Sequence, residues 1–273
     1  MMDREEMKSV ENTENSATTD VAYEVPSVAL AMSILKLLSR YKTQSCTLTE
    51  ISKRTHASKT TCLRVLRTLA RGDFIRYDKV SRCYSLGAYL IPLGNRASQM
   101  VSGVSEVMLE LPRLAEKVGE TVMLLERLPE DAVIVLAKAA PSSEVARADV
   151  SIGQLFAGLG GAFGRCFLAY DAPSAWRKHW MKMTATGDRV AKMWSSQETF
   201  YEALETTRRV GAAVSHGEMA AGFSSVAVPL FASDGSVALV LAVLLLTSQY
   251  QEERGKAMIR ILQQTAERWR GLF

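Results

Sequence analysis

Five side chains able to hydrogen-bond to a nucleic-acid base crowd into one short stretch: Ser58, Lys59, Thr60, Thr61 and Arg64. Further cations follow at Arg67, Arg76 and Arg82. Hydroxyl, ammonium and guanidinium groups at this density suit two tasks, reading base edges in a DNA major groove and neutralising the phosphates beside it. The spacing assigns base reading to residues 58–64 and phosphate contact to Arg67, Arg76 and Arg82. Charge points the same way. Residues 26–98 hold 13 lysines and arginines against three acidic residues, while the whole chain is only +4. A surplus so concentrated is the electrostatic footprint of a phosphate-backbone partner. A basic surface helix with no ligand would show the same local pattern, so the surrounding elements must decide.

Other groups could do covalent chemistry only in a weaker arrangement. Ser224, Ser225 and Cys166 are nucleophiles, and His216 and Glu218 stand a few residues from the serines. No nucleophile-elbow pattern surrounds them and Cys166 sits inside an apolar helical run, so residues 217–225 read as pocket lining rather than a catalytic centre. Gly158-x-Gly160-Gly161-x-x-Gly164 imitates a dinucleotide loop, but Phe163 stands where the third glycine belongs. The helix that starts there offers free N–H groups and a positive dipole end, a seat for a carboxylate; the plainer role of the glycines is close packing. Cys62, Cys83 and His56 match no common zinc spacing, and no metal or cofactor is expected. Trp176, Trp180 and Trp194 lie among Arg177, Lys178, Lys182 and Lys192. They read as a cap over a core or a protomer interface before a nucleic-acid platform.

The basic residues need elements to hold them. Leu48, Ile51 and Ser52 give a short amphipathic helix, broken at Thr55, His56 and Ala57. Ser58 is an N-cap candidate for a second helix over residues 59–71, with Cys62, Leu63, Leu66 and Leu69 inward. Gly72 and Asp73 stop it, and two strands follow over residues 74–77 and 83–86 around a charged turn. Helix, turn, basic helix and β-wing make a winged helix-turn-helix, whose second helix is sized for the major groove. An earlier helix opening at Val25-Pro26-Ser27, with Val28, Ala31, Ile34, Leu35 and Leu38 on one face, would cover its core. Residues 88–100 read as a hinge with Pro92 and Gly94. Residues 101–118 read as a connecting helix, kinked at Pro112, whose stripe of Val104, Val107, Met108, Leu111, Leu114 and Ala115 faces either a partner subunit or its own domain.

At 273 residues the chain has room for two domains. Residues 1–24 are acidic, polar and expected to be disordered. No stretch approaches the ~20 apolar residues of a membrane span, and the N-terminus carries no secretory signal. Four cysteines without a C-x-x-C pair fit reduced thiols, so the expected location is cytoplasmic. From residue 119 strands and helices alternate. Strands are expected at 121–125, 132–137, 145–150, 212–215, 225–231 and 237–246, and helices at 158–170, 197–210 and 251–273, with residues 175–194 irregular. Hairpin-joined strands with helices before, between and after imply an α+β domain with an antiparallel sheet.

The ordered motifs resemble those of the IclR family of bacterial transcriptional regulators. They are Val25-Pro26-Ser27-Val28, Ser58–Thr61, Leu66-Arg67-Thr68-Leu69, Tyr84-Ser85-Leu86-Gly87, Gly119-Glu120-Thr121-Val122, Gly164-Arg165, Gly217-Glu218 and Gly222-Phe223-Ser224-Ser225. The resemblance implies a winged helix-turn-helix over residues 25–87, a linker and connecting helix over 88–118, and a GAF-like effector-binding domain over 119–273. It also implies dimers, often paired into tetramers, on palindromic double-stranded DNA operators near catabolic genes. By correspondence with the family, an effector would be lined by Val145, Ala148, Phe156, Gly160, Gly161, Ala162, Phe163, Ser215, Phe223, Ser225, Ala242 and Leu244. Two departures remove polar groups from that pocket. Residues 157–162 read Ala-Gly-Leu-Gly-Gly-Ala where the family carries a Pro-Leu-His-Ala-Thr-Ala-like run, and Ala242 and Leu244 stand where serines can occur.

The expected function is therefore a ligand-responsive DNA-binding regulator and not an enzyme. Its expected effector is a flat aromatic or alicyclic carboxylate, with the charge near Gly160–Ala162 and Ser225 as an orienting hydroxyl. Two alternatives stand beside it. One is a constitutive DNA-binding protein whose pocket is filled by Leu159, Phe163, Phe223 and Leu244; the other is a DNA-tethered, hydrolase-like enzyme.

Overall fold

Thr47 and Glu50 start the first unit. The Thr47 hydroxyl accepts from the Glu50 N–H at 3.3 Å, and the Glu50 carboxylate accepts from the Thr47 N–H at 2.8 Å. This reciprocal capping box opens α2 (Leu48–Thr55) and holds the Glu50 carboxyl below its ordinary range. The computed structural model describes residues 25–39, 45–100, 103–143, 147–156, 158–187 and 190–273; the acidic tail at 1–24 lies outside them. The chain divides between Pro92 and Leu93 into two units.

In the first unit α1 (Pro26–Leu38), β1 (Cys46–Thr47), α2, α3 (Lys59–Arg71), β2 (Ile75–Asp78) and β3 (Cys83–Leu86) follow in order. The strands pair antiparallel in the order β1-β3-β2, so the expected two-stranded wing gains a short third strand. Ile34, Leu37, Leu38, Ile51, Cys62, Val65, Leu66, Ile75 and Tyr84 form the core. Leu37 and Val65 belong to it where the sequence pattern favoured Val28 and Leu63. The fully buried residues of α1 lie in its second half, Leu30 and Ala31 pack partly buried against the same core, and Val28 is 53% exposed.

Residues 90–100 are not a hinge but helix α4 (Leu90–Met100). Pro92 is its third residue, in the first turn, where N–H groups have no intrahelical acceptor and proline costs no bond.

The second unit is built on a six-stranded antiparallel sheet, in the order β6-β5-β4-β9-β8-β7. Its strands are β4 (Thr121–Leu128), β5 (Ala132–Ala139), β6 (Leu155–Phe156), β7 (Ala213–His216), β8 (Phe223–Phe231) and β9 (Val237–Leu246). Register separates its two faces. Val214, Val226, Val243 and Val122 lie in one row, and Ala213, Ala227, Ala242 and Met123 in the neighbouring row on the opposite face. The valine face packs on α5 (Val104–Val118) and α9 (Glu252–Arg268). The alanine face packs on α6 (Gly161–Leu168), α7 (Pro173–Ala185) and α8 (Gln197–Val210).

Several expectations change here. Val104, Val107, Leu111, Leu114 and Ala115 of α5 are buried in the core of their own unit, so this stripe is not a free dimer face. Met108, assigned to the same stripe, is 42% exposed, because it lies one residue past the buried seam. Residues 147–150 form a loop rather than a strand, tied by the Thr121 hydroxyl donating to the Ala148 carbonyl at 2.7 Å. The expected irregular segment at 175–194 is mostly α7, followed by a 3₁₀ turn over Ala191–Met193. Trp176, Trp180 and Trp194 pack around Phe200 and Tyr201, capping the core. In α8, Phe200, Leu204 and Thr207 are buried and Val210 at the C-terminal end is exposed.

Every residue of α6 is buried, and its position depends on Gly164. A Cβ there would stand 2.1 Å from the carbonyl carbon and oxygen of Leu159. Gly164→Ala should lower stability by about 1–3 kcal/mol or more, read as a shifted urea midpoint in the full chain.

α7 is anchored by charge. Arg127 donates to Asp171 at 2.6 Å and Asp131 at 2.7 Å, while His179 Nδ1 lies 3.7 Å from Asp131, beyond hydrogen-bond distance. Burial pushes the His179 imidazole down, outweighing the raising effect of Asp131. The unfolded chain takes up that proton near pH ~6.5 and the folded one only at lower pH. Stability is therefore full above ~6.5 and is lost as pH falls toward the folded value. Urea midpoints should drop between pH ~7.5 and ~5.5, and His179→Phe should flatten that drop. An unchanged slope would assign the dependence to other groups.

Candidate nucleic-acid interface and effector pocket

The Ser58 hydroxyl accepts from the Thr61 N–H at 3.1 Å and pairs with the Thr61 hydroxyl at 2.8 Å. Both side chains thus cap α3, and Lys59, Thr60 and Arg64 lie exposed beside them in its first two turns. His56 adopts φ 55°, the left-handed conformation that turns the chain from α2 to α3. Behind the turn the Ser52 hydroxyl donates to the Ala57 carbonyl at 2.7 Å. Arg67 lies exposed on the same helix, and Arg76 and Arg82 on the wing.

The wing turn is built by Asp78. Its carboxylate accepts from the Ser81 hydroxyl at 2.6 Å and from the N–H groups of Val80 and Ser81, which holds its pKa below the usual range. Arg82 follows at φ 57°, and Val80 projects from the tip at 94% exposure. Among the described residues, Lys59, Arg64, Arg67, Arg76 and Arg82 form no ion pair with an acid. Five exposed cations without counterions are available to phosphates.

In the second unit a cavity of about 240 Å³ opens on the alanine face of the sheet. Phe156, Phe163, Ser215, Phe223, Ser225 and Leu244 line it, six of the twelve residues expected from the family correspondence. The other described ones lie elsewhere. Ala148 is fixed by Thr121, and Ala162 on α6 and Ala242 on β9 are buried in the core that the helix shares with the sheet. Gly160 and Gly161 lie beneath Met219, whose Sδ and Cγ stand 2.6 and 3.0 Å from where their Cβ atoms would be. Val145 falls outside the described residues. Met219, Ala220 and Ser224 come from the 217–225 segment read as pocket lining, and sequence reasoning missed Met123, Asp149, Val150 and Gln154. Met123 was legible as the strand neighbour of Ala242; the loop residues carried no signal.

The serines of the wall come from paired strands. Ser215 and Ser225 are register partners, and their hydroxyls meet at 2.8 Å. The last strand supplies Leu244 in the same row, so hydroxyls absent from β9 are present on β7 and β8. Above them the β7–β8 loop is latched from α6. Arg165 donates to both Glu218 oxygens at 2.7 and 2.9 Å and to the Val214 carbonyl, and lies 5.3 Å over the Trp194 ring.

The groups considered for covalent chemistry are otherwise engaged. His216 Nδ1 pairs with Ser224 at 2.9 Å, not with Ser225, and Ser224 continues to Thr247 at 3.0 Å. Complete burial pushes the Cys166 thiol up to about 12. A nucleophile needs the opposite shift. Among the described residues no group of three His, Cys, Asp or Glu could hold a metal ion.

A winged helix-turn-helix with unpaired cations, followed in one chain by an α+β domain, defines the class of two-domain transcriptional regulators. Comparison with known proteins makes this specific. The family model described as "IclR helix-turn-helix domain" matches residues 27–79, and "Bacterial transcriptional regulator IclR C-terminal" matches residues 98–269. The chain belongs to the IclR family. It is similar to the crystal structure of an IclR transcriptional regulator from Alicyclobacillus acidocaldarius, with 45% identity, 90% of this chain and 98% of that one covered, and a TM-score of 0.80. It is also similar to the DNA-binding transcriptional repressor YiaJ of Escherichia coli (strain K12), 25% identical over 86% of this chain and 83% of the other. An IclR homolog from Microbacterium hydrocarbonoxydans, crystallised with 4-hydroxybenzoate, shares the fold at 18% identity and a TM-score of 0.71, covering 89% and 97%.

Proposed function

We propose that this regulator binds an operator duplex through α3 and the wing, and that a small, flat, mainly apolar organic molecule in the second unit's cavity changes its operator affinity. The observation that carries the sensing half is the cavity itself. Phe163, Phe223 and Leu244 form its walls and leave about 240 Å³ between them, while Leu159 packs in the core. This favours ligand response over a constitutive protein with a filled pocket. The protein of the same fold that holds 4-hydroxybenzoate supports an aromatic ring as occupant. Effector binding can alter operator affinity only by its differential affinity for the two states. The reading places the protein in the cytoplasm at catabolic genes. Among the described residues no helix is long and apolar enough to cross a membrane.

On the DNA-binding face, Arg64 is assigned to a base and Arg82 to a phosphate. Arg64→Ala should weaken cognate binding by about 1–3 kcal/mol and relax sequence preference. Arg82→Ala should weaken all duplexes alike and reduce the salt slope by about 1. Fluorescence anisotropy on cognate and scrambled duplexes at several salt concentrations checks both. Parental behaviour in both variants would remove the assignment.

The same reading includes self-association, since paired half-sites gain avidity from one duplex. With the α5 stripe buried, the exposed apolar residues at α4 are the better contact: Tyr89 at 50%, Ile91 at 67% and Leu93 at 41%. Light scattering should show at least a dimer at micromolar concentration, and Ile91→Asp should shift it toward monomer. A monomeric parent, with and without DNA, would refute the contact.

A further inference from the structure

A carboxylate buried in a protein needs a cation or several N–H donors; otherwise it takes up a proton or stays in water. Among the described residues the cavity wall holds no cation. Its one acid–base group of either sign is Asp149, an acid, whose Oδ1 is held by Lys138 Nζ at 2.5 Å. The buried cation of this region, Arg165, is committed to Glu218, the Val214 carbonyl and the Trp194 ring. The start of α6, where an anion could find N–H donors, lies beneath the Met219 side chain.

The wall presents a different set of polar groups. Ser215 and Ser225 are each 5% exposed and share one hydrogen bond at 2.8 Å. In such a pair one hydroxyl donates to the other, whose own proton remains available, and both oxygens can still accept. The pair therefore matches a ligand hydroxyl, which accepts one hydrogen bond and donates one. Asp149, with a half-exposed side chain, offers an acceptor to a donor and repels an anion. The remaining walls suit a ring: Phe156 and Phe163 stand 5.1 Å apart at 44°, with Phe223 and Leu244 beside them.

Taking this cavity as the effector site, we propose that its ligand is an uncharged hydroxyarene, a flat ring whose hydroxyl is read by the Ser215–Ser225 pair. This replaces the carboxylate expected from the family correspondence, because the groups that would have held its charge are covered or already bonded.

Calorimetry on the full chain with 4-alkylphenols (ethyl to butyl) and the matching 4-alkylbenzoates tests the assignment at neutral pH. Each phenol should bind at least about tenfold tighter than its benzoate. Ser225→Ala should weaken the phenol by about tenfold, the scale of one lost buried hydrogen bond. Asp149→Asn should improve benzoate binding several-fold by removing a negative charge from the wall. Leu244→Trp should abolish phenol binding while operator binding persists. Benzoates binding as tightly as phenols, or Ser225→Ala leaving the preference intact, would overturn the hydroxyarene and leave the effector site standing. If no member of either series binds, or if Leu244→Trp binds phenol like the parent, the cavity is not the effector site and both readings fall.

Discussion

Arg165 and Glu218 come from segments 53 residues apart and meet with side chains only 7% and 11% exposed. Removing either partner would leave a buried charge without its counterion, a loss of about 3–5 kcal/mol for such pairs. The pair joins α6 to the β7–β8 loop, and the next loop residue, Met219, both roofs the cavity and covers the start of α6. The position of Met219 over the cavity and over the start of α6 therefore follows from one interaction. Gly164 supports it from the other side, since only a residue without a Cβ lets α6 lie against the Leu159 backbone.

The DNA-binding unit depends on polar closures of a different kind. Its core is small, so helix ends and turns supply much of the definition. Thr47 and Glu50 fix the entry to α2, Ser58 and Thr61 fix the entry to α3, and Asp78 fixes the wing turn. Each closure uses uncharged or acidic groups. The lysines and arginines of α3 and the wing stay uncommitted, and this separation leaves them free for a polyanion. Ser58 has a structural role in this arrangement, since its hydroxyl accepts from the Thr61 N–H and caps the helix.

Under the proposed function the cavity must bias the DNA-binding unit, and the helices α4 and α5 lie between them in the chain. The α5 stripe is sealed in the second unit's core, so α5 belongs to that unit. α4 differs, with exposed apolar residues at its start and no buried residue among those described. A helix in that state is stabilised by what it later packs against, which is why the proposed self-association is set there.

How much of this was legible in the sequence divides along a physical line. Local signals carry elements: α3 and α8 have the bounds that caps and 3.6-residue spacing predicted, and the wing strands follow from alternation and turn residues. Charge clustering marked the basic module because net charge needs no coordinates. Periodicity tells which residues share a face but not what the face meets. The α5 stripe was therefore equally compatible with a partner and with its own core, and Ala242 with a cavity wall and with α6. Residues 145–150 have strand composition, yet β5 already pairs with Leu155–Phe156 at that edge, and 147–150 remain a loop. The cavity was the least legible feature. Its walls come from β4, β6, β7, β8, β9, α6 and two loops, and whether a glycine, a serine or a methionine faces the space between them is decided only when the sheet closes over α6.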